Sequence, residues 1–504
     1  MSSTRNGTEA GADGYDVVVV GGGNAGFCAA HAAREQGARV LLLEKGAKGE
    51  DGGNSYYTAG AFRVAHGGPD DLADIVDDET RSLLPTTDLA PYTAADFAAD
   101  MVRITEQRCD PAMTAVVTGD SAAAARWLHG KGVRWRLMYE RQSYVSQGRH
   151  VFFGGLALGV VDGGKGLIEQ HTRAAEDSGI EIRYGATVEE IVRDPDGAVR
   201  GVAYTGPDGR PHRVTARATV LAAGGFEANP ELRRRHLGAG WENAVVRGNP
   251  LNTGEVLEMA LGVGAAGHGD WSSCHSVAWD SGAPVGGGDR VYTNQHTRQS
   301  YPIGVVVDTD GRRFLDEGAD YRNYTYAKYG KEILRRPGGR AFQLFDAKTR
   351  PLLRPQEYDT DSVTEVVADT VAELAARLGV DPDGLAATLD GFNAAIVDAP
   401  FDPAVKDGRA ARVDPPKSNW AQPIDTAPFY GYPVSCGITF TFGGVHVDGD
   451  ARVLTESGAP IPGLFAAGEL VGGLFSGNYP GGSGLTAGAV YGRRAGTAAA
   501  SQEP

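Results

Sequence analysis

The segment that most constrains this chain is Tyr15-Asp16-Val17-Val18-Val19-Val20 running into Gly21-Gly22-Gly23-Asn24-Ala25-Gly26. A short run of β-branched residues suits a strand buried on both faces, as in a parallel sheet. The Ala-rich stretch after it reads as a helix ending near Gly37, and Arg39 to Glu44 reads as a second strand. This is a βαβ opening with G-x-G-x-x-G at its first strand–helix turn. The glycines let a pyrophosphate approach the helix N-terminus, and an acid about 20 residues on, here Glu44, suits ribose hydroxyls. In a chain with 72 glycines the motif alone would be weak; its placement between strand and helix gives it force. On its own it serves NAD or FAD equally.

The 504 residues allow two to four domains at roughly 100–200 residues each. With 48 basic and 64 acidic side chains, net charge −16, and no long basic run, nucleic acid and anionic lipid are not expected partners. Cys28, Cys109, Cys274 and Cys436 lie far apart, so neither a disulfide framework nor a metal site is expected. The polar, small start has no apolar stretch for a secretory signal. No run reaches 18 apolar residues, so no stable membrane insertion is expected. The expectation is a cytoplasmic protein whose residues 1–13 are disordered.

Three further segments narrow the ligand. Gly52-Gly53-Asn54-Ser55 followed by Thr58-Ala59-Gly60 is a second glycine-rich loop just after Glu44. Ala218 to Ala223 is a buried strand ending in Gly224-Gly225-Phe226, where backbone must pass close to a flat ligand. Pro462 to Gly468 is a strand ending in Glu469, an acid suited to a ribityl hydroxyl. Gly481-Gly482-Ser483-Gly484-Leu485 then opens the last helix, whose N-terminus would stabilise negative charge on a reduced flavin. The cofactor-binding candidates are therefore Gly21, Gly23, Asn24, Ala25, Gly26, Glu44, Lys45, Gly53, Asn54, Ser55, Ala59, Gly60, Val188, Ala223, Gly224, Gly225, Glu469, Ser483, Gly484 and Leu485. Helices and loops alternate to about residue 180, and Ile180 to Val202 reads as paired strands about Asp196-Gly197. Between roughly 270 and 440 the composition shifts toward Tyr, Asn, His and Arg.

This order of segments resembles the flavoprotein family of fumarate reductases, succinate dehydrogenases and 3-ketosteroid Δ1-dehydrogenases, from Tyr15 to about Gly496. The stretches Gly53 to Arg63 and Asn478 to Leu485 look most like the tricarballylate dehydrogenase branch. The resemblance implies an α/β fold: a two-part Rossmann-type FAD-binding domain (14–269 and 441–504) with an inserted α+β capping domain (270–440). It implies a dehydrogenase that desaturates a CH–CH bond beside a carboxylate or carbonyl. The alternatives are a 3-ketosteroid-type Δ1-desaturase or a fumarate reductase-type reaction in reverse. The substrate would be a small carboxylated or carbonyl-bearing molecule. Electrons would pass to an external acceptor: oxygen, a quinone or a separate protein.

Several positions depart from the family pattern. Asn54 stands where respiratory members tether FAD through a histidine, so the FAD is expected to be non-covalent. Thr253-Gly254-Glu255-Val256 replaces T-G-D-G and reads as structural. The reductase proton donor follows a turn like Gly311-Arg312-Arg313-Phe314-Leu315-Asp316-Glu317, which leaves Arg322, or Tyr321 one position earlier, as the acid/base. Two carboxylate-binding positions of the reductases become Phe440 and Tyr479, and a tyrosine before Pro-Gly-Gly resembles the steroid branch, where it bonds a carbonyl. His275 lies near a carboxylate-binding histidine of the reductases. Arg247, Arg290, His296 and Arg298 are further cationic candidates, although His296 and Arg298 equally suit a solvated loop and Arg290 an exposed one. Arg312 and Arg313 read as surface, and His150, Cys28 and Cys274 as packing or surface. The catalytic candidates are Arg322, Tyr321, His275 and Tyr479.

Overall fold

The computed structural model describes residues 14–502; the expected disorder of 1–13 falls outside them. The opening strand is Gly14–Val20, the first helix Asn24–Glu35 and the second strand Val40–Leu43. Val17, Val18 and Val19 are wholly buried. The first strand pairs in parallel with Val40–Leu43 on one side and Pro211–Leu221 on the other, which buries both faces.

These strands form the centre of an eight-stranded sheet. One side extends to Glu181–Arg183. On the other, Pro211–Leu221 is shared: its first half pairs antiparallel with Val199–Thr205, its last three residues in parallel with Pro460–Ala466. The hairpin expected at Asp196-Gly197 joins Thr187–Arg193 to Val199–Thr205. A strand encoded near the end of the sequence thus completes the sheet begun at its start.

The last helix, Ser483–Ala500, lies on the first helix. Its Gly488, Gly492 and Gly496 recur every fourth residue and share one face. A Cβ on Gly492 or Gly496 would run into the carbonyl oxygens of Ala25 and Ala29. Side chains here would push the two helices apart.

The second sheet is built around the 13-residue strand Phe429–Thr441. Cys274–Asp280 and Arg340–Asp346 flank it antiparallel, and Val305–Val307 extends it. Val245–Val246 pairs with it in parallel, so this sheet begins upstream of residue 270, inside the stretch assigned to the first domain. Before residue 180 the reading of helices and loops is incomplete. Short strands, Ala61–Phe62, Trp135–Leu137 and Leu158–Val160, form a small third sheet there. They are two or three residues long, too short for an alternating pattern to show.

Candidate active site

One cavity runs from the Gly21 turn to the second sheet. Gly21 to Ala25, Glu44, Lys45, Gly53 to Ser55, Ala59, Val188, Ala223, Gly224, Glu469, Gly484 and Leu485 all line it. Gly21 sits at φ +106°, and a Cβ on Gly26 would meet the Gly21 carbonyl oxygen. The turn and the helix start therefore need glycine at both places. Glu44 is buried, and its two carboxylate oxygens accept from Gly22 N and Gly46 N, each at 2.6 Å. Burial pushes its carboxyl up, opposed by those two amides. Lys45 Nζ donates to Thr253 Oγ1 at 2.9 Å and Glu255 Oε1 at 3.2 Å, which ties the second strand to the Thr253 turn.

Two helix N-termini meet this cavity. The first has Gly23 as N-cap and the last has Gly482, and neither carries a capping side chain or an acid in its first turn. Unsatisfied amides at a helix start attract negative charge. A dinucleotide whose central pyrophosphate meets the first helix start and whose electron-accepting ring meets the second would fit both. Gly26, Gly60, Gly225 and Ser483 do not line the cavity. Gly60 backs onto Gly163, Gly225 lies beneath Glu469 and Thr441, and Ser483 Oγ donates to Pro480 O at 2.5 Å. They shape the loops that carry the lining.

Below the middle of the cavity two carboxyls meet. Glu227, fully buried, lies against Glu469, and its Oε2 has no hydrogen-bond partner among the described residues. Its Oε1 accepts from Asn54 Nδ2 at 2.5 Å and Asn252 Nδ2 at 2.7 Å. Glu469 Oε1 accepts from Thr441 N at 2.9 Å. Burial, and then the charge of Glu227, holds the Glu469 carboxyl well above the usual range. Asn54 also donates to Thr439 O at 2.7 Å and accepts from Asn249 N at 2.8 Å. Asn54 thus joins the second glycine loop to the long strand of the second sheet. Glu227 was not among the candidates; only its place in Gly224-Gly225-Phe226-Glu227 hinted at it.

At the cap end stand Arg141, Arg247, His275, Arg322, Tyr326, Phe440 and Tyr479. Arg322 is 5% exposed, and Nη1 donates to Gln299 Oε1 at 3.0 Å; its Nε and Nη2 are buried with no partner. Arg247 bonds Thr439 Oγ1 at 2.7 Å and Asn294 Oδ1, and its Nε is likewise unpartnered. Among the described residues no carboxylate forms an ion pair with either. Arg141 does have a counterion, Glu357, at 2.8 Å. The hydroxyls of Tyr326 and Tyr479 lie 2.6 Å apart. Pairing across the sheet sets His275 opposite Phe440, and their rings stack at 5.1 Å. Burial, and then the charge of Arg247, holds His275 well below its ordinary pKa, so it is neutral at neutral pH. Phe442 and Phe475 meet Phe440 at 5.3 and 5.8 Å and extend the aromatic wall.

Several expected positions lie elsewhere. Tyr321 stacks on Phe153 at 5.3 Å and leans on Trp420, off the cavity. The single-turn helix Arg322–Tyr324 points the next residue inward instead. Arg298 is wholly buried and pairs with Asp280 at 2.6 Å; His296 pairs with Asp289 at 2.8 Å. Neither is a solvated loop residue and neither reaches the cavity. Arg290 is half-buried, its guanidinium 3.4 Å above the Tyr56 ring. Arg313 is not a surface residue: it pairs with the wholly buried Glu317 at 2.5 Å, while Arg312 is exposed. Arg141 and Tyr326 also line the cavity and were not among the sequence candidates.

A cavity of this build defines a flavoprotein of the two-part Rossmann type. The chain belongs to the FAD binding domain family, which matches residues 16–485, and it is an FAD-dependent oxidoreductase. It is 29% identical to "Probable fumarate reductase Ifc3" of Shewanella frigidimarina, over 96% of this chain and 74% of that one. It is 34% identical to 4-oxocyclohex-2-ene-1-carboxylate 5-dehydrogenase of Sinomonas cyclohexanicum, over 66% of this chain and 59% of the relative. Among solved structures, the open conformation of a flavocytochrome c3 fumarate reductase superposes with TM-score 0.72 at 26% identity, covering 97% of this chain and 79% of that one. The 3-ketosteroid Δ1-dehydrogenase of Sterolibacterium denitrificans, at TM-score 0.73 and 20% identity, covers 97% and 99% and shares the fold. No helix among the described residues is long and apolar enough to cross a membrane.

Proposed function

We propose that this oxidoreductase acts on CH–CH groups, desaturating the bond next to a carbonyl in a compact substrate that also carries a carboxylate. One observation carries the reading. Buried guanidinium donors without partners, on Arg247 and Arg322, share a cavity with the paired hydroxyls of Tyr326 and Tyr479. A buried cation with free donors calls for an anion, and paired phenols suit a carbonyl oxygen. The aromatic wall suits a ring. The substrate named for the Sinomonas relative combines a ring ketone with a carboxylate. A neutral steroid would leave the guanidiniums unanswered, and an open-chain polycarboxylate of the tricarballylate kind would leave the phenols and the wall unused.

When bound, FAD supplies the two-electron acceptor such an oxidation requires. Arg322 and Arg247 anchor the carboxylate and fix the ring. Neutral His275 can donate or accept a hydrogen bond but adds no charge. The Tyr326–Tyr479 pair donates to the carbonyl, which acidifies the adjacent C–H and stabilises the enolate charge that develops there. Burial pushes the Tyr326 phenol well above its usual range, so the pair works as a relay and not as a phenolate. One hydroxyl oxygen takes the α proton while its own proton passes to the other, which gives its proton to the carbonyl oxygen. The resulting enol then loses the β hydrogen as hydride. Arg322 is assigned to binding, because proton release from a guanidinium needs a carboxylate relay and none pairs with it. The FAD is held without a covalent bond, since the Asn54 amide is not a nucleophile. The reoxidant is external: oxygen, a quinone or a separate protein.

Anaerobic mixing of oxidised enzyme with three compounds tests this: a cyclohexanone carboxylate, the ketone lacking the carboxylate, and tricarballylate. Flavin bleaching by the first alone is expected. Arg322→Gln should weaken its binding about ten- to hundredfold, from the 1.5–3 kcal/mol of hydrogen bonds to a charged group, with FAD retained. Equal bleaching by the neutral ketone or by tricarballylate refutes the reading.

A further inference from the structure

Away from the flavin cavity, three residues far apart in sequence converge. Asp110 is the N-cap of the helix Pro111–Gly130. His268 ends the two-residue strand Gly267–His268, and His446 follows the strand Gly444–Val445 with which it pairs. In that antiparallel pair His268 faces Gly444, and alternation puts His446, two residues on, on the same side of the ribbon. The imidazoles stack with centroids 4.1 Å apart and planes 24° from parallel. Asp110 Oδ2 lies 3.4 Å from His268 Nε2. One donor atom from each of the three side chains lies within 4.8 Å of the others, and all three residues are partly buried.

The surroundings hold the donors in place. Asp110 Oδ1 accepts from Met113 N at 2.9 Å, which leaves Oδ2 turned to the histidines. Asp110 N donates to Gly473 O at 2.8 Å. Gly473 is itself pressed against the ring: a Cβ there would lie 2.6 Å from His268 Nε2. Asp448 and Glu456 add negative charge in the neighbourhood of His446. Two imidazole nitrogens and one carboxylate oxygen, with a solvent-facing fourth position, are a donor set for a borderline divalent transition ion, not for calcium or magnesium. Ligand atoms about 2.0–2.2 Å from one tetrahedral zinc lie roughly 3.4 Å apart. The Asp110–His268 pair already has that separation, and rotation of the partly buried His446 would close the rest.

We propose that Asp110, His268 and His446 form a zinc-type site that clamps the joint between the FAD-binding domain and the cap. His268 stands just before the chain enters the cap, His446 just after it returns, and Asp110 anchors both to a helix of the FAD domain. A bound ion would fasten these three points together. Spacing along the chain does not signal it, because no two of the three share a metal-ligand spacing.

Protein dialysed against chelator and loaded with FAD should be titrated with Zn²⁺ alone in competition with a chromophoric chelator. One ion per chain is expected, and Co²⁺ in its place should give the visible bands of a tetrahedral centre. His446→Gln and Asp110→Asn should each weaken uptake at least tenfold and abolish the rise in thermal midpoint that zinc gives the wild type. Asparagine still caps the helix, so the second variant separates ligation from folding, and FAD content should not change in either. Zinc uptake equal in wild type and both variants, or none at equimolar ion, overturns the proposal.

Discussion

Glu227→Gln probes the carboxyl pair beneath the flavin cavity. In the wild type, Glu227 and Glu469 are buried against each other with both carboxyls raised, mainly by burial. Two full negative charges in contact would repel by about 4 kcal/mol at about 4 Å and an effective dielectric near 20, so the folded pair keeps a proton that the unfolded chain gives up. Unfolded glutamates titrate near the ordinary 4.5. Above that value the folded state binds more protons, and stability falls as pH rises until the pair's own raised range is passed. Glutamine removes this term. Its oxygen can still accept from Asn54 and Asn252, and its amide can donate to a Glu469 carboxylate. The variant should match or fall slightly below wild type near pH 5 and exceed it by one to a few kcal/mol near pH 8. Urea denaturation of flavin-loaded and flavin-stripped protein across that range measures it. An unchanged pH slope would mean that the carboxyls do not share a proton.

Replacing Glu44 by Ala should weaken FAD binding by about 1.5–3 kcal/mol, the range for hydrogen bonds to a charged group; fluorescence titration of stripped enzyme reads it, and an unchanged affinity would remove Glu44 from the ribose. Acid precipitation should release all the yellow colour to the supernatant if Asn54 leaves the flavin untethered, and colour in the pellet would contradict it. Tyr479→Phe and Tyr326→Phe should each slow flavin reduction about 10²–10⁴-fold in stopped flow with binding little changed, whereas Tyr321→Phe, off the cavity, should have little effect on either.

What was legible in the sequence was what neighbours along the chain decide. The valine run, the Gly21 turn and the helix after it follow from local pattern, and Glu44 arrives at its place through one βαβ unit. Arg322 and Tyr321 could not be separated, because which of two adjacent residues faces inward depends on a single-turn helix whose packing against Phe153 and Trp420 is long-range. Tyr326 was missed because its meaning depends on Tyr479, 153 positions away. Arg313 reads as a hairpin surface residue until Glu317 and the carbonyl oxygens of Pro415 and Pro416 bury it. Likewise Arg298 is a loop cation only until Asp280 pairs with it. Charge chemistry of this kind is written in contacts, not in spacing.

The glycine face of the last helix has a consequence for how the protein is made. Ala25 emerges from the ribosome more than 460 residues before Gly492, and until then the first helix stays uncovered along the line where Gly492 and Gly496 will seat against Ala25 and Ala29. At about 5–20 residues per second, more than 460 residues of synthesis take on the order of half a minute to a minute and a half. During that interval the glycine turn has its own strand and helix but lacks the Glu469 strand and the second helix start. Until the last helix is made, the nascent chain therefore has at most half a flavin site, and cofactor capture waits on that helix. Chains stalled before the last helix should purify colourless.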